Sequence, residues 1–175
     1  MFLRRNRSTW TMRMNPMSEQ TFLFGPTWIP IKDGNPTGMS IFLRHYTARK
    51  NRKVFKFIGP GDKEALITPD AKALFVWRKF ISDAGEEGVN CAVFRNEGTE
   101  YGKSSELILL AECEAVRRWG KTRLYTYVDP SKLGIRKRHS REYCPWPPGR
   151  CFIEAGWSPC GWTKQHKVIL EKEMR

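Results

Sequence analysis

Apolar and polar positions recur with two different periods along this chain, and the changes of period divide it into strands and helices. The clearest helical stretch is SSELILLAECEAVRRW at 104–119. Leu107, Ala111, Ala115 and Trp119 fall four residues apart there, with Ile108 and Leu110 beside them. That spacing turns one apolar stripe toward a core. Ser104 or Ser105 is expected to cap its start, and Gly120 to stop it. A shorter helix is predicted over Pro36–Tyr46 from Met39, Phe42, Leu43 and Tyr46, with Pro36 in its first turn. Gly59-Pro60-Gly61 then marks a turn. Glu64–Thr68 and Ala73–Lys79 read as strands of a hairpin around Pro69-Asp70, and Val89–Phe94 as a buried strand after the polar turn Gly85–Gly88. In the strand Arg123–Val128, Tyr125 and Tyr127 take one face and Leu124, Thr126 and Val128 the other. Arg150–Ala155 makes a short helix ended by Gly156. Trp157–Thr163 and Lys167–Glu171 close the chain as two strands turning at Gln165-His166.

The order is helix, hairpin, strand, long helix, strand, short helix, two strands. A strand–helix–strand unit at the centre implies a parallel pair joined by a crossover. Antiparallel strands flank it, so the expected class is α/β (α+β), one domain around a mixed sheet. No internal repeat or linker interrupts it, and the Pro-rich stretch 143–149 reads as a loop.

At 175 residues the chain is long enough for one domain with a real core. Its 40% hydrophobic and 13% aromatic content excludes a mainly disordered chain. No apolar run approaches the roughly 20 residues of a membrane span. Five cysteines are an odd count without the spacing of a disulfide framework, so reduced thiols and a cytoplasmic setting are expected. Lys and Arg total 31 against 18 Asp and Glu, a formal charge of +13. Residues 1–16 hold Arg4, Arg5, Arg7 and Arg13 with no acid and no apolar signal core. Met17 offers an alternative start, which would make 1–16 a disordered or artefactual extension before a domain at 17–175. Without those four arginines the charge is still +9.

Two internal segments concentrate that charge. RHYTARKNRKVFK at 44–56 carries Arg44, Arg49, Lys50, Arg52, Lys53 and Lys56. KLGIRKRHSREYCPWPPGR at 132–150 carries Lys132, Arg136, Lys137, Arg138, Arg141 and Arg150 against Glu142 alone. Tyr46, Phe55, Tyr143 and Trp146 interleave with them. Cations neutralise phosphate and aromatic faces stack on bases, so nucleic acid is the expected partner, with a phosphate-rich cofactor accounting for part of the charge. The plainer alternative is a solvated basic face.

The element order, closed by GRCFIEAGW at 149–157 and a hairpin ending in VILEK, resembles the GNAT superfamily of N-acetyltransferases. RHYTARK (44–50), CAVFRNEG (91–98), SSELILLAE (104–112) and RLYTYVDPSK (123–132) are together similar to GNAT-like proteins of phages and prophages. That group is distantly similar to the Mom-type enzymes that modify adenine in phage DNA. The resemblance spans roughly residues 28–172. It implies acyl transfer from acetyl-CoA or a related acyl-CoA to an amine, here an exocyclic base amine of DNA, in an infected or lysogenic bacterium. Two departures stand out. The family's Arg/Gln-x-x-Gly-x-Gly/Ala turn is replaced by RNEGTEYGKSSE at 95–106, and Asp129 stands where many relatives have an asparagine.

The candidate residues follow. Exposed amides at the start of the long helix favour an anion, so Arg95, Asn96, Gly98, Gly102, Lys103 and Ser104 are candidates for the cofactor phosphates. GKSS is no P-loop, because Glu97 stands where that motif needs glycine. Parallel strands carry ligands at their carboxyl ends. There Asp129 or Glu106 is a candidate base, Tyr127 a candidate acid, and Ser105 accompanies them as a catalytic candidate. Arg44, His45, Tyr46, Arg49, Lys50, Arg52, Lys53, Arg136, Lys137 and Arg138 are the nucleic-acid candidates. The plainer alternative for His45-Tyr46 puts Tyr46 in the core and leaves His45 exposed. No metal is expected. Cys144, Cys151 and Cys160 with His139 or His166 lack the short Cys-x2–4-Cys spacing of a zinc knuckle. Two rivals stay open: an acetyltransferase of a protein or small amine, and a non-catalytic basic scaffold that binds nucleic acid.

Overall fold

A computed structural model describes residues 26–48, 56–81, 85–132 and 148–175. Its elements are β1 (Ile29–Ile31), α1 (Pro36–Phe42), β2 (Asp62–Ile67), β3 (Ala73–Lys79), β4 (Val89–Asn96), α2 (Ser104–Trp119), β5 (Arg123–Val128), a 3-10 turn (Pro130–Lys132), α3 (Arg150–Glu154), β6 (Ser158–Trp162) and β7 (Val168–Glu173). The strands form one sheet in the order β1-β2-β3-β4-β5-β7-β6. Among the described residues only β4 and β5 run parallel, joined by α2, and every other pairing is antiparallel. The chain is therefore a mixed α/β protein with one parallel pair and antiparallel flanks, as the change of period predicts.

Helices cover both faces of the sheet. On one face, Ile41 and Phe42 of α1, with Phe57, pack on Ala65, Ile67, Leu74, Val76 and Val93. On the other, Leu107, Ile108, Ala111 and Ala115 of α2 pack with Phe152 and Ala155 over Leu66, Phe75, Trp77, Val89, Leu124 and Leu170. Three buried indoles fix α2 to this sheet. Trp28 donates to the Leu107 carbonyl at 3.0 Å, Trp77 to the Ala111 carbonyl at 2.9 Å, and Trp157 to the Glu112 carboxylate at 2.6 Å. The other oxygen of Glu112 accepts from Lys172 of β7 at 2.6 Å, so the helix, α3 and the far strand share one buried polar link.

Several boundaries differ from the pattern. β1 has no counterpart in it, because three residues including a proline, paired on one side only, show no measurable period. α1 ends at Phe42, and residues 43–48 continue as turns. α2 has Lys103 as its N-cap, not either serine, and the Glu106 carboxylate accepts the Lys103 N–H at 2.8 Å. A side chain three residues into the helix thus satisfies the N–H of the N-cap residue, the return half of a capping box. No helix among the described residues is long and apolar enough to cross a membrane. The extension 1–16, His139, Cys144 and the basic residues Arg49, Lys50, Arg52, Lys53, Arg136, Lys137 and Arg138 lie outside the described residues.

Candidate active site

The parallel pair is only half a pair. β4 and β5 stay in register from Val89 opposite Leu124 to Cys91 opposite Thr126, and there the pairing stops. β4 runs on to Asn96 and β5 to Val128. At the same level β4 carries one residue more than β3: Val76 faces Val93 and Trp77 faces Cys91, which leaves Ala92 without an opposite number. A bulge bends its strand and frees backbone groups from the ladder, and such bulges concentrate beside functional sites. Bulge and splay together open a wedge at the carboxyl ends of the two strands.

A cavity of about 130 Å³ fills that wedge. Cys91, Ala92 and Phe94 form its β4 wall, and Thr126, Tyr127 and Val128 its β5 wall. Gly149, Cys151 and Phe152 close it from the side of α3. Gly149 has φ of +80°, and a Cβ there would come within 2.5 Å of Leu170 and 3.1 Å of Val128, so only glycine lets the chain lie this close to the strands. Burial pushes the thiols of Cys91 and Cys151 up, which keeps both protonated at neutral pH.

His45 and Tyr46, in the turn after α1, span the opening. The His45 ring is buried (8% exposed), and its Nδ1 accepts the Thr47 N–H and lies 2.7 Å from the Thr47 hydroxyl. The ring also faces the Phe94 backbone of β4. Burial and the nearby Arg95 charge lower the imidazole to about 4, so the ring is neutral at pH 7. Tyr46 is 41% exposed, and its hydroxyl faces the Asp129 backbone just past β5. Burial raises its pKa. This dipeptide therefore ties β4 to β5 where the ladder no longer does. The plainer sequence alternative is inverted, with the histidine inside and the tyrosine at the surface.

The turn entering α2 is shaped by the chain's own acceptors. Asn96 Oδ1 accepts the N–H groups of Gly98 and Thr99 at 2.9 and 3.1 Å, and its amide nitrogen donates to the Ser104 hydroxyl at 3.2 Å. Asp70, from the β2–β3 turn, accepts the Thr99 hydroxyl at 2.8 Å and the Glu100 N–H at 3.3 Å. Gly102 has φ of +138°, which only glycine adopts freely, and its Cα faces the Glu106 carboxylate. The first-turn amides of Ser104, Ser105 and Glu106 have no acceptor within the helix, as at any helix start. Lys103 is exposed beside them.

The remaining candidates fall around this opening. Asp129 sits at the end of β5, and its carboxylate accepts the Ser131 hydroxyl at 2.7 Å and N–H at 3.0 Å. Those bonds, with Lys132 and Lys167 nearby, hold it below the usual carboxylate range. Arg95 shares Glu97 with Arg44, whose Nε and Nη2 donate at 2.8 and 2.7 Å. Those hydrogen bonds pull Glu97 down to about 2. Tyr127 lines the cavity with its ring edge-on to Tyr125. The structure thus gathers His45, Tyr46, Tyr127 and Asp129 at one opening, with Ser104, Ser105 and Glu106 on the adjacent helix start. Ala92, Thr126 and Gly149 were missed by sequence reasoning, because an apolar run, a strand threonine and a loop glycine carry no chemical signal. Among the described residues, no group of three or more His, Cys, Asp or Glu side chains is arranged to hold a metal ion.

Comparison of the sequence with protein-family models and with curated proteins finds no match to either.

Proposed function

We propose that this chain is a GNAT-like acyltransferase that uses an acyl-CoA and transfers the acyl group to an exocyclic amine of a nucleic-acid base. The observation that carries the reading is the wedge, where a β4 bulge at Ala92 coincides with the end of β4–β5 pairing and a cavity opens at the carboxyl ends of the parallel strands. A crevice of that kind is where open α/β sheets take their ligands. The strand and helix order, with the long helix α2 as the crossover, supports the superfamily resemblance.

An acyl-CoA fits the residues present. The free amides of Ser104, Ser105 and Glu106 and the Lys103 ammonium would hold its phosphates, while Asp70 and Glu106 turn their charge onto backbone N–H groups. The wedge would admit the narrow acyl end. When bound, it supplies an activated carbonyl carbon for the amine. Tyr46 and Tyr127 both bring a phenol to the cavity, and Tyr46, whose pKa burial raises, keeps its proton and is the candidate proton donor. His45 is a positioning residue, because its ring is buried and neutral and its Nδ1 is engaged by Thr47.

One observation favours the non-catalytic scaffold. The two carboxylates expected as bases, Asp129 and Glu106, are each held by backbone N–H groups. A single experiment separates the readings. Acetyl-CoA at a hundred times its Kd should raise the melting temperature by about 5–10 °C. DNA from cells expressing the chain should yield a nucleoside of new mass, lost when Tyr46 and Tyr127 are both replaced by Phe. No thermal shift at millimolar acetyl-CoA overturns the acyltransferase. A shift with an unmodified nucleoside pool overturns the base amine as acceptor.

A further inference from the structure

The β6–β7 hairpin carries a side chain that the fold does not use. Trp28, Trp77 and Trp157 are buried with their indole N–H groups bonded to α2, and Trp119 donates to Asp62 at 2.6 Å. Trp162 is 65% exposed, and among the described residues nothing accepts its N–H. It stands opposite Val168, which in turn stands opposite Val128 at the end of β5. The indole therefore lies on the row of the sheet that leads to the wedge, about 10 Å, or two strand spacings, from β5.

Cations surround it. The turn after Trp162 is ordered by the Thr163 hydroxyl, which accepts the N–H groups of Gln165 and Lys167, and by the Thr163 N–H donating to the Lys167 carbonyl at 2.9 Å. It presents Lys164 and His166 to solvent. Lys167 closes the turn, and Lys132 ends the 3-10 turn across from it; both act on the Asp129 charge. Among the described residues, none of these three lysines forms an ion pair within 4 Å.

The edge itself speaks against a protein strand as the occupant. Pro159 has no N–H to offer, and the β6–β7 register shifts between Pro159 and Gly161. Proline and a bulge are the devices that stop a sheet edge from recruiting another chain. What remains is an exposed aromatic face beside Lys132, Lys164 and Lys167, which form no ion pair within 4 Å among the described residues although Lys132 and Lys167 also face Asp129, and which complement a polyanion with flat bases.

We propose that the β6–β7 hairpin is a docking platform for single-stranded nucleic acid, with one base stacked on Trp162 and flanking phosphates held by Lys132, Lys164 and Lys167. The proposal rests on the reading above for its class of partner, and on the hairpin's own side chains for its location.

The test uses the full chain and a fluorescein-labelled 12-nucleotide single strand of mixed sequence, alone and as a duplex. Anisotropy should show tighter binding of the single strand, with quenching of indole emission. Trp162→Ala should weaken it about tenfold, the scale of one stacked base, and Trp162→Phe should retain most of the affinity. Replacing Lys164 and Lys167 by alanine should flatten the slope of log affinity against log salt by about 1.4, or roughly 0.7 for each lost phosphate contact. An unchanged melting curve for each variant separates these losses from unfolding. Parent-like binding by Trp162→Ala overturns the platform, as does equal affinity for duplex without quenching. A concentration-dependent dimer in sedimentation that Trp162→Ala dissolves, with strand binding unaffected, also overturns it and assigns the indole to a second copy. Trp162-dependent strand binding without an acetyl-CoA shift removes the acyltransferase and leaves the platform. A shift without Trp162-dependent binding does the reverse.

Discussion

The two ends of the β4–β5 pair are built by opposite means. At the closed end the backbone ladder joins Val89–Cys91 to Leu124–Thr126. Side chains reinforce it, since Thr126 donates to the Cys91 carbonyl at 2.9 Å and Asn90 to the Tyr125 carbonyl at 3.2 Å. Arg123 then anchors that end on Glu86 and Glu171 at 2.6 and 2.7 Å. At the open end the strands share no ladder, and His45 and Tyr46 bridge them from a turn outside the sheet. A ladder bond is cooperative with its neighbours and has no room for a competitor. A side-chain bridge to a lone backbone group sits next to a cavity, where a ligand's polar groups compete on equal terms. The closed end should therefore carry stability, and the open end should carry response to ligand and pH.

The strongest way to break that contrast is to truncate a core residue at the closed end. Leu124 is fully buried, and Leu124→Ala should cost about 2–5 kcal/mol in urea unfolding, with acetyl-CoA affinity unchanged at a temperature where the variant is folded. An equal cost for Tyr46→Ala would erase the difference between the ends.

The pH dependence sharpens it next. The folded-state pKa of His45 is about 4, below the ordinary value of 6.5. Above pH 6.5 its ring is neutral in both states and the bridge contributes fully. As pH falls from 6.5 toward 4, the unfolded chain binds a proton that the folded chain refuses, and stability drops by about 3 kcal/mol. Urea midpoints at pH 7.5, 5.5 and 4.5 should show that drop in the parent and a flatter profile in His45→Gln. Identical profiles would mean that the bridge is not what titrates.

A smaller effect is expected at the hydroxyl that reinforces the ladder. Thr126→Val keeps the shape and leaves the buried Cys91 carbonyl without that donor, for a loss of about 1–3 kcal/mol in the same unfolding measurement. The smallest change in stability belongs to Glu97→Gln. Its pairs with Arg44 and Arg95 are partly exposed, so less than about 1 kcal/mol should be lost. Its visible effect is electrostatic: two arginines released at the open end should steepen the salt dependence of single-strand binding. An unchanged slope would place that trio outside any polyanion path.

Legibility in the sequence followed periodicity. Ser104–Trp119 and Arg123–Val128 match their predicted bounds residue for residue, because an i+4 row over sixteen residues and a strict alternation over six leave no competing assignment. The parallel pair followed from the strand–helix–strand order. The bulge did not, since VNCAVF reads as an unbroken apolar run and nothing local marks Ala92 as the residue without an opposite number. Glu112 interrupts the apolar stripe of α2 in the pattern, yet it is buried, because its partners Trp157 and Lys172 come from 45 and 60 residues further on. His45 and Tyr46 invert the plainer alternative for the same reason: Phe94, which the buried histidine faces, is distant in sequence.

Apart from β1 and the end of α1, local pattern was thus enough for the elements, their order, the mixed sheet and the basic character of the chain, all of which depend on residues a few positions apart. The tertiary structure alone decided where β4 and β5 part and which side chains hold them there. It also decided that Asn96, Asp70 and Glu106 take up backbone groups of the turn before α2, and that Trp162 faces solvent beside lysines. The strand wedge and the Asp70 contact arise where backbone groups leave the ladder and find partners from elsewhere in the chain, and the Asn96 and Glu106 contacts, though local, form only once the fold sets the turn.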